Sequence, residues 1–366
     1  MRIAIVHDYL NQFGGAERVV AALHELYPEA PIYTSIYDQS RLPAVFQRMD
    51  IRTSFMQRLP LVNLLYKYYF MLYPIAFERF DLSEYDVVLS SSSAYAKGIK
   101  IRSGQLHICY CYTPARFIWR YEDYVSKENI APFLKQFLPF LLEPLKKWDL
   151  SNNRTIDYFV AISAAIAGRI ERIYGRPSVI IYPPVETAYF RPSGIDGDYY
   201  LIVSRLNAYK RLDLAVGAFN ELDLPLKIVG DGPARQQLER QARPNIEFLG
   251  RRSDEDVKRL LAECRALIFP GEEDFGIVPL EAMASGRPVI AFRAGGAVET
   301  ISDGETGIFF EEPSARSLVN AVNRFKFTVF NKEKLRRQAL KFDKKVFQEK
   351  IGRLIREKYE EKSRRK

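Results

Sequence analysis

The sequence predicts an α/β protein built from two parallel-sheet domains of Rossmann type, and three observations lead there. The chain has 366 residues, which at ~150 residues per domain is about two domains. Hydrophobic residues make up 47% and charged residues 27%, a mix that supports two buried cores and excludes a disordered or fibrous chain. Short β-branched runs alternate with helical periodicity from one end to the other, which implies parallel sheets covered by helices on both faces.

In the first half, strands are expected at 2–7, 87–91, 107–112, 159–162 and 179–182. A helix follows Gly14-Gly15, where Val19, Val20, Leu23 and Tyr27 recur at the i, i+4, i+8 spacing of one buried face. In the second half, strands are expected at 200–203, 226–229, 246–249, 266–269, 289–292 and 307–310. Amphipathic helices such as 212–222 and 254–264 lie between them, the latter with Ser253 as its N-cap. The alternation pauses between Pro183 and Asp198, where Pro, Gly and Asp cluster. The expected organisation is an N-terminal domain at 1–182, a hinge at 183–197, a C-terminal domain at 198–342 and a basic amphipathic helix at 343–366.

Composition narrows the function. Cys109, Cys111 and Cys264 cannot make a disulfide framework, so a reducing, cytoplasmic compartment is expected. The run Met1 to Asp8 is too short for a signal peptide, and no stretch reaches the ~18 apolar residues of a membrane span. From Arg324 onward there are 17 Lys/Arg against 6 Asp/Glu, whereas the rest of the chain has 37 against 39. A neutral body argues against a nucleic-acid-binding face. In the tail, Phe347, Ile351, Leu354 and Ile355 form one apolar face, and Lys344, Lys345, Arg353 and Arg356 are expected outward, where they could meet anionic lipid.

In open α/β sheets, ligands bind beyond the carboxyl ends of the strands, so two facing domains would put a site in the cleft between them. The strongest motif follows an expected strand: Pro270-Gly271-Glu272-Glu273-Asp274-Phe275-Gly276-Ile277-Val278-Pro279-Leu280-Glu281. The turn at Phe275, Gly276, Ile277 and Val278 would aim free N–H groups of a helix start at an anion. Glu273 and Glu281 could accept hydrogen bonds from sugar or ribose hydroxyls. Phosphates on the helix end and hydroxyls on the carboxylates suit a nucleotide-sugar. Arg205 and Lys210, after the first strand of the second half, can neutralise a diphosphate. Gly14 and Gly15 let the backbone approach a ligand at another helix start, although a tight turn explains them equally well.

Together these residues resemble the family-4 glycosyltransferases, retaining enzymes of the GT-B fold. Glu273 to Glu281 matches the family's E-x7-E motif, and Arg205 with Lys210 matches its basic phosphate pair. Gly230-Asp231-Gly232-Pro233 and Gly295-Gly296-Ala297-Val298-Glu299 match in position, with Gly230 at the substrate site. The N-terminal half is similar to bacterial O-antigen mannosyltransferases. The stretches that carry this are His7-Asp8, Phe77-Glu78-Arg79-Phe80-Asp81-Leu82, Ser90-Ser91-Ser92 and Thr113-Pro114-Ala115-Arg116-Phe117-Ile118-Trp119. The resemblance implies a nucleotide-sugar donor, GDP-mannose first, no cofactor, a glycan or polyprenyl-linked acceptor, and a peripheral place at the membrane. It also implies catalytic roles for Arg205, Lys210 and Glu273. Many relatives carry His before the Thr-Pro as a donor-sugar contact; here that position is Tyr112, which keeps a hydroxyl.

Other candidates read as structure. Asp196-Gly197-Asp198 has the spacing of a metal-binding D-x-D, but its hinge position favours turn formers, and no metal site is expected. His7 reads as a buried structural histidine, and His107 faces away from Tyr112 across its strand. The aromatic segments 55–80, with Arg58, Lys67 and Arg79, and 137–148, with Lys146 and Lys147, read as helices covering the sheet, with a membrane face as the other reading. A nucleotide-sugar epimerase and a non-catalytic sugar-nucleotide-binding module remain alternative functions.

Overall fold

The computed structural model describes residues 1–119 and 132–364, and the chain forms two units: Met1–Pro184 with Phe347–Lys366, and Val185–Val346. The first unit holds a parallel sheet of β1 (Ile3–His7), β2 (Ile32–Thr34), β3 (Ile51–Thr53), β4 (Val87–Ser92), β5 (Leu106–Cys111), β6 (Tyr158–Ala161) and β7 (Ser178–Ile180). Its order is β3-β2-β1-β4-β5-β6-β7, so the direction of winding reverses between β1 and β4. Every residue of β1, β4 and β5 is buried, as expected for strands covered on both faces. The sequence reading missed β2 and β3, because three residues are too few to display a strand period. In the helix Gly15–Leu26, Val19, Val20 and Leu23 are buried, while Tyr27 is the C-cap.

The second unit repeats the plan. Its strands are β8 (Tyr200–Val203), β9 (Leu226–Val229), β10 (Ile246–Gly250), β11 (Leu267–Phe269), β12 (Val289–Phe292) and β13 (Gly307–Phe310). The order is β10-β9-β8-β11-β12-β13, with the reversal between β8 and β11. Tyr200, Phe219, Ile228, Phe310 and Phe325 build its core. Ser253 caps the helix Asp254–Glu263, its hydroxyl accepting from the Asp256 N–H at 3.1 Å.

Of the stretch 183–197, read from composition as a hinge, residues 185–197 are tied to the second unit. The Val185 N–H donates to the Phe342 carbonyl at 3.0 Å, and the Gly197 N–H to the Glu263 carbonyl at 2.7 Å. Asp196 accepts from Arg287 at 2.6 Å and Lys332 at 3.0 Å. The Lys332 ammonium and Arg287 guanidinium hold its carboxyl below the usual carboxylate range. The first carboxylate of the D-x-D spacing is thus engaged by two cations of its own chain.

The helix Lys344–Ser363 belongs mainly with the first unit, although the second precedes it in sequence. Phe347, Ile351, Leu354 and Ile355 are buried, Phe347 meets Tyr110 edge-on at 5.7 Å, and Lys362 binds Asp157 at 2.6 Å. Lys345, Arg353 and Arg356 are exposed, but Lys344 is not outward: its ammonium pairs with Glu186 at 2.8 Å.

His107 is fully buried, its Nε2 2.8 Å from the Ser90 hydroxyl. Burial lowers its pKa from 6.5 to about 4. The folded state therefore refuses a proton that the unfolded state accepts. Stability is present above pH 6.5 and is lost as pH falls through about 4, by about 3 kcal/mol in full. Urea unfolding at pH 7 and pH 4.5 should show this loss, and His107→Gln should reduce it. An unchanged pH dependence in the variant would assign the titration to another group.

Candidate active site

Ligand sites in such sheets lie where the winding reverses, beyond the strand ends. In the second unit that point is flanked by the loop after β8, carrying Arg205 and Lys210, and the loop after β11, carrying Glu273. The structure joins the two loops through an ion pair between Lys210 Nζ and Glu273 Oε1, with both side chains mostly buried. Arg205 is exposed and meets no carboxylate among the described residues. One cation is held and partly neutralised, while the other is open to solvent.

Gly276 caps the next helix, Ile277–Ala284, with φ +85, and a Cβ there would meet the Phe269 ring at 2.8 Å. Only glycine combines that torsion with that approach. Phe275 is buried against Phe342, with ring centroids 5.9 Å apart. Ile277 and Val278 supply free N–H groups at the helix start; Pro279 has none to offer. Glu281 sits in the second turn and is 3% exposed. The E-x7-E spacing thus puts one carboxylate at the loop and the other in the buried body of the helix.

Two further loops brace these elements. Gly230, at φ +129, lies where a Cβ would meet the Ser204 carbonyl at 1.8 Å. That approach lets the Leu206 N–H reach the Asp231 carbonyl at 3.0 Å, so Arg205 sits on a loop laced to its neighbour. On the other side, the Gly296 N–H donates to the Glu273 carbonyl at 2.8 Å.

The first unit has its own polar cluster at the β1/β4 reversal. Gly14 has ordinary extended torsions, so its use is not conformational; its N–H donates to the Glu17 carboxylate at 2.8 Å. Gly15, the first helical residue, is exposed. The Tyr112 hydroxyl donates to the Ala16 carbonyl at 3.0 Å and lies 2.8 Å from the Ser91 hydroxyl. Ser91 must then donate to Tyr112, so His7, whose Nδ1 is 3.0 Å from Ser91 Oγ, carries its proton on Nδ1. Burial raises the Tyr112 pKa well above its ordinary value, so the hydroxyl stays neutral and ties β5 to the glycine loop.

The sequence assigned no site role to three residues here. The buried carboxylate of Asp8 accepts from the N–H groups of Ser93, Ala94, Tyr95 and Ala96 at 2.6–3.1 Å, which shapes the turn after β4. Asn11 is 2% exposed with both amide atoms unpaired among the described residues, and the Ser92 hydroxyl is in the same state. Asparagine in a glycine loop carries no signal, because it is an ordinary turn former. Among the described residues, no three His, Cys, Asp or Glu side chains are grouped to hold a metal ion.

A family model, the glycosyl transferases group 1, matches residues 186–345, the unit that carries Arg205, Lys210, Glu273 and Glu281. Over residues 186–345 the chain is similar to the glycosyl transferases group 1 family. An uncharacterized glycosyltransferase of Methanocaldococcus jannaschii is 30% identical over 214 residues, 56% of this chain and 60% of that protein. The O-antigen chain mannosyltransferase C of Escherichia coli is 31% identical over 137 residues, 35% of this chain and 37% of that one. The chain therefore spans less than two thirds of those relatives' own length. Anabaena Alr3699/HepE, solved in complex with UDP, aligns over 98% of this chain and 100% of its own, at TM-score 0.73 and 18% identity. Sucrose-phosphate synthase from Thermosynechococcus elongatus aligns over 98% and 99%, at TM-score 0.77 and 15% identity. The two doubly wound sheets of this chain share the GT-B fold of those neighbours.

Proposed function

We propose that the protein is a retaining glycosyltransferase that moves mannose from GDP-mannose to a glycan or polyprenyl-linked acceptor, as a peripheral enzyme at a membrane. The observation that carries this reading is the Lys210–Glu273 pair at the sheet reversal, beside the exposed Arg205 and the N–H groups of Ile277 and Val278. A nucleoside diphosphate entering there competes for Lys210 and frees the Glu273 carboxylate to accept a sugar hydroxyl. Glu281 takes the ribose. Gly230, Phe275 and Gly276 shape the donor loops; Gly14, Gly15 and Tyr112 serve substrate in the first unit, with Asn11 added. The acceptor oxygen bonds the anomeric carbon as the bond from that carbon to the diphosphate breaks. The acceptor proton goes to the departing phosphate oxygen, which gives attack and departure on the same face. Negative charge then grows on the diphosphate, and Arg205, Lys210 and the helix start stabilise it. The mannose assignment is supported by the relatives, which include a GDP-mannose-dependent alpha-mannosyltransferase of Corynebacterium glutamicum, 34% identical over 110 residues.

A thermal-shift panel of nucleoside diphosphates and their sugars tests the donor: GDP and GDP-mannose should raise the melting temperature most. Consumption of the donor should require an acceptor and persist in EDTA. Epimerisation without acceptor would identify the enzyme as an epimerase, and stabilisation without turnover would leave a binding protein. Activity lost in EDTA and restored by Mg²⁺ would return Asp196 and Asp198 to consideration as metal ligands.

A further inference from the structure

Residues 58–79 of the first unit send apolar side chains both into the core and out to solvent. The inner face is fixed: Val62, Tyr73, Ala76 and Phe77 are buried in the core, and Tyr73 stacks on Tyr95 at 4.5 Å. The outer face presents Leu61, Leu64, Tyr68, Met71 and Ile75, which are 68, 72, 78, 40 and 45% exposed. Leu64 and Ile75 lie on the helices Val62–Leu65 and Tyr73–Glu78, and Leu61, Tyr68 and Met71 lie on the turns before and between them. Isolated exposed apolar residues need no explanation, but five large ones within fifteen positions of the chain do.

Charge identifies what these side chains meet. Arg58, Lys67 and Arg79 are exposed along the same segment. Arg58 and Lys67 meet no carboxylate among the described residues, and the Arg79 guanidinium lies over the Phe55 ring at 5.4 Å. The only acid between 58 and 80 is Glu78, which turns inward and accepts from the Trp148 indole N–H at 2.6 Å. Protein interface cores are depleted in Lys and in charge generally, whereas apolar side chains interleaved with cations suit an anionic headgroup region. The C-terminal helix is a poorer candidate. Its apolar face is buried, and its exposed cations are interspersed with exposed Glu349, Glu357 and Glu360.

We propose that this exposed segment is the surface by which the protein lies on an anionic lipid bilayer. Leu61, Leu64, Tyr68, Met71 and Ile75 enter the headgroup–acyl boundary, and Arg58, Lys67 and Arg79 meet lipid phosphates. This deepens the membrane-acceptor reading by naming its surface. Its test measures binding without donor or acceptor, so the two can fail separately.

The experiment is co-sedimentation of the full chain with phosphatidylcholine vesicles, with and without phosphatidylglycerol. The wild type should bind the anionic vesicles, more weakly as salt rises. Leu64→Ser/Tyr68→Ser/Met71→Ser should weaken binding at least about tenfold with an unchanged melting temperature, since all three side chains are exposed. Arg58→Gln/Lys67→Gln should cost about fivefold per cation on anionic vesicles only. Tyr68→Trp should shift its emission to the blue when vesicles are added. The proposal is overturned if the triple-serine variant binds like wild type, or if Lys345→Gln/Arg353→Gln/Arg356→Gln alone abolishes binding. It is also overturned if the wild type ignores vesicles and self-associates through this segment.

Discussion

Lys210→Ala is expected to lower kcat by on the order of 10²-fold, with a much smaller change in KM for the nucleotide-sugar. The ammonium's partner changes along the reaction. Without ligand it pairs with Glu273, so its charge is largely spoken for. The departing diphosphate carries more negative charge than the bound donor, so the attraction to Lys210 is strongest in the transition state. Glu273→Gln provides a second reading of the same pair. Removing the carboxylate should raise affinity for the free nucleoside diphosphate by about fivefold, matching the ~1 kcal/mol of a partly exposed pair. The same variant should lower kcat, because the sugar loses a hydrogen-bond acceptor. Steady-state kinetics with calorimetric titration of the diphosphate separates the two effects. A Lys210→Ala variant that loses donor affinity at constant kcat would show that the lysine serves the ground state alone. Weaker diphosphate binding by Glu273→Gln would mean that the pair does not compete with ligand.

Asp149→Leu is expected to destabilise the first unit by about 3–5 kcal/mol. Asp149 is completely buried and Lys97 is 2% exposed. Their charged atoms form an ion pair, and the other Asp149 oxygen accepts from the Trp119 indole and the Tyr174 hydroxyl, each at 2.7 Å. Burial works to lower the Lys97 pKa, but the Asp149 carboxylate more than offsets it, and the net shift is upward. Removing Asp149 leaves a buried ammonium with the Ala94 carbonyl at 3.2 Å as its hydrogen-bond partner. Lys97→Met should cost less, because Asp149 keeps two donors. The double variant Lys97→Met/Asp149→Leu should recover much of the loss, since the uncompensated charge is gone. Chemical denaturation of the four proteins completes the cycle. A loss below about 1 kcal/mol for Asp149→Leu would mean that solvent reaches the lysine. Lys97 and Asp149 join the turn after β4, the helix Arg116–Trp119 and the helices Pro132–Asn152 and Ala164–Tyr174.

The sequence by itself determined the α/β class, most of the strands and the loops that carry Arg205, Lys210 and Glu273. These depend on local signals: apolar runs, helical periodicity, and glycines whose absent side chain permits one torsion or one close approach. Gly230 and Gly276 are of that kind, and their surroundings show why. Tertiary structure decided what local pattern cannot contain. Lys210 and Glu273 are partners because β8 and β11 lie side by side in the sheet, and strand order depends on packing across the whole unit. The C-terminal helix displays its apolar face in sequence, but only the fold shows that this face docks on the first unit. The segment 55–80 is apolar all round, so its periodicity could not say which side faces the core. Tyr73 and Phe77 fill the interior and leave Leu64, Tyr68 and Met71 to solvent. Lys97 and Asp149 show the same limit from the polar side. Each reads as a surface residue, and burial becomes stable only because the fold brings together two charges 52 positions apart.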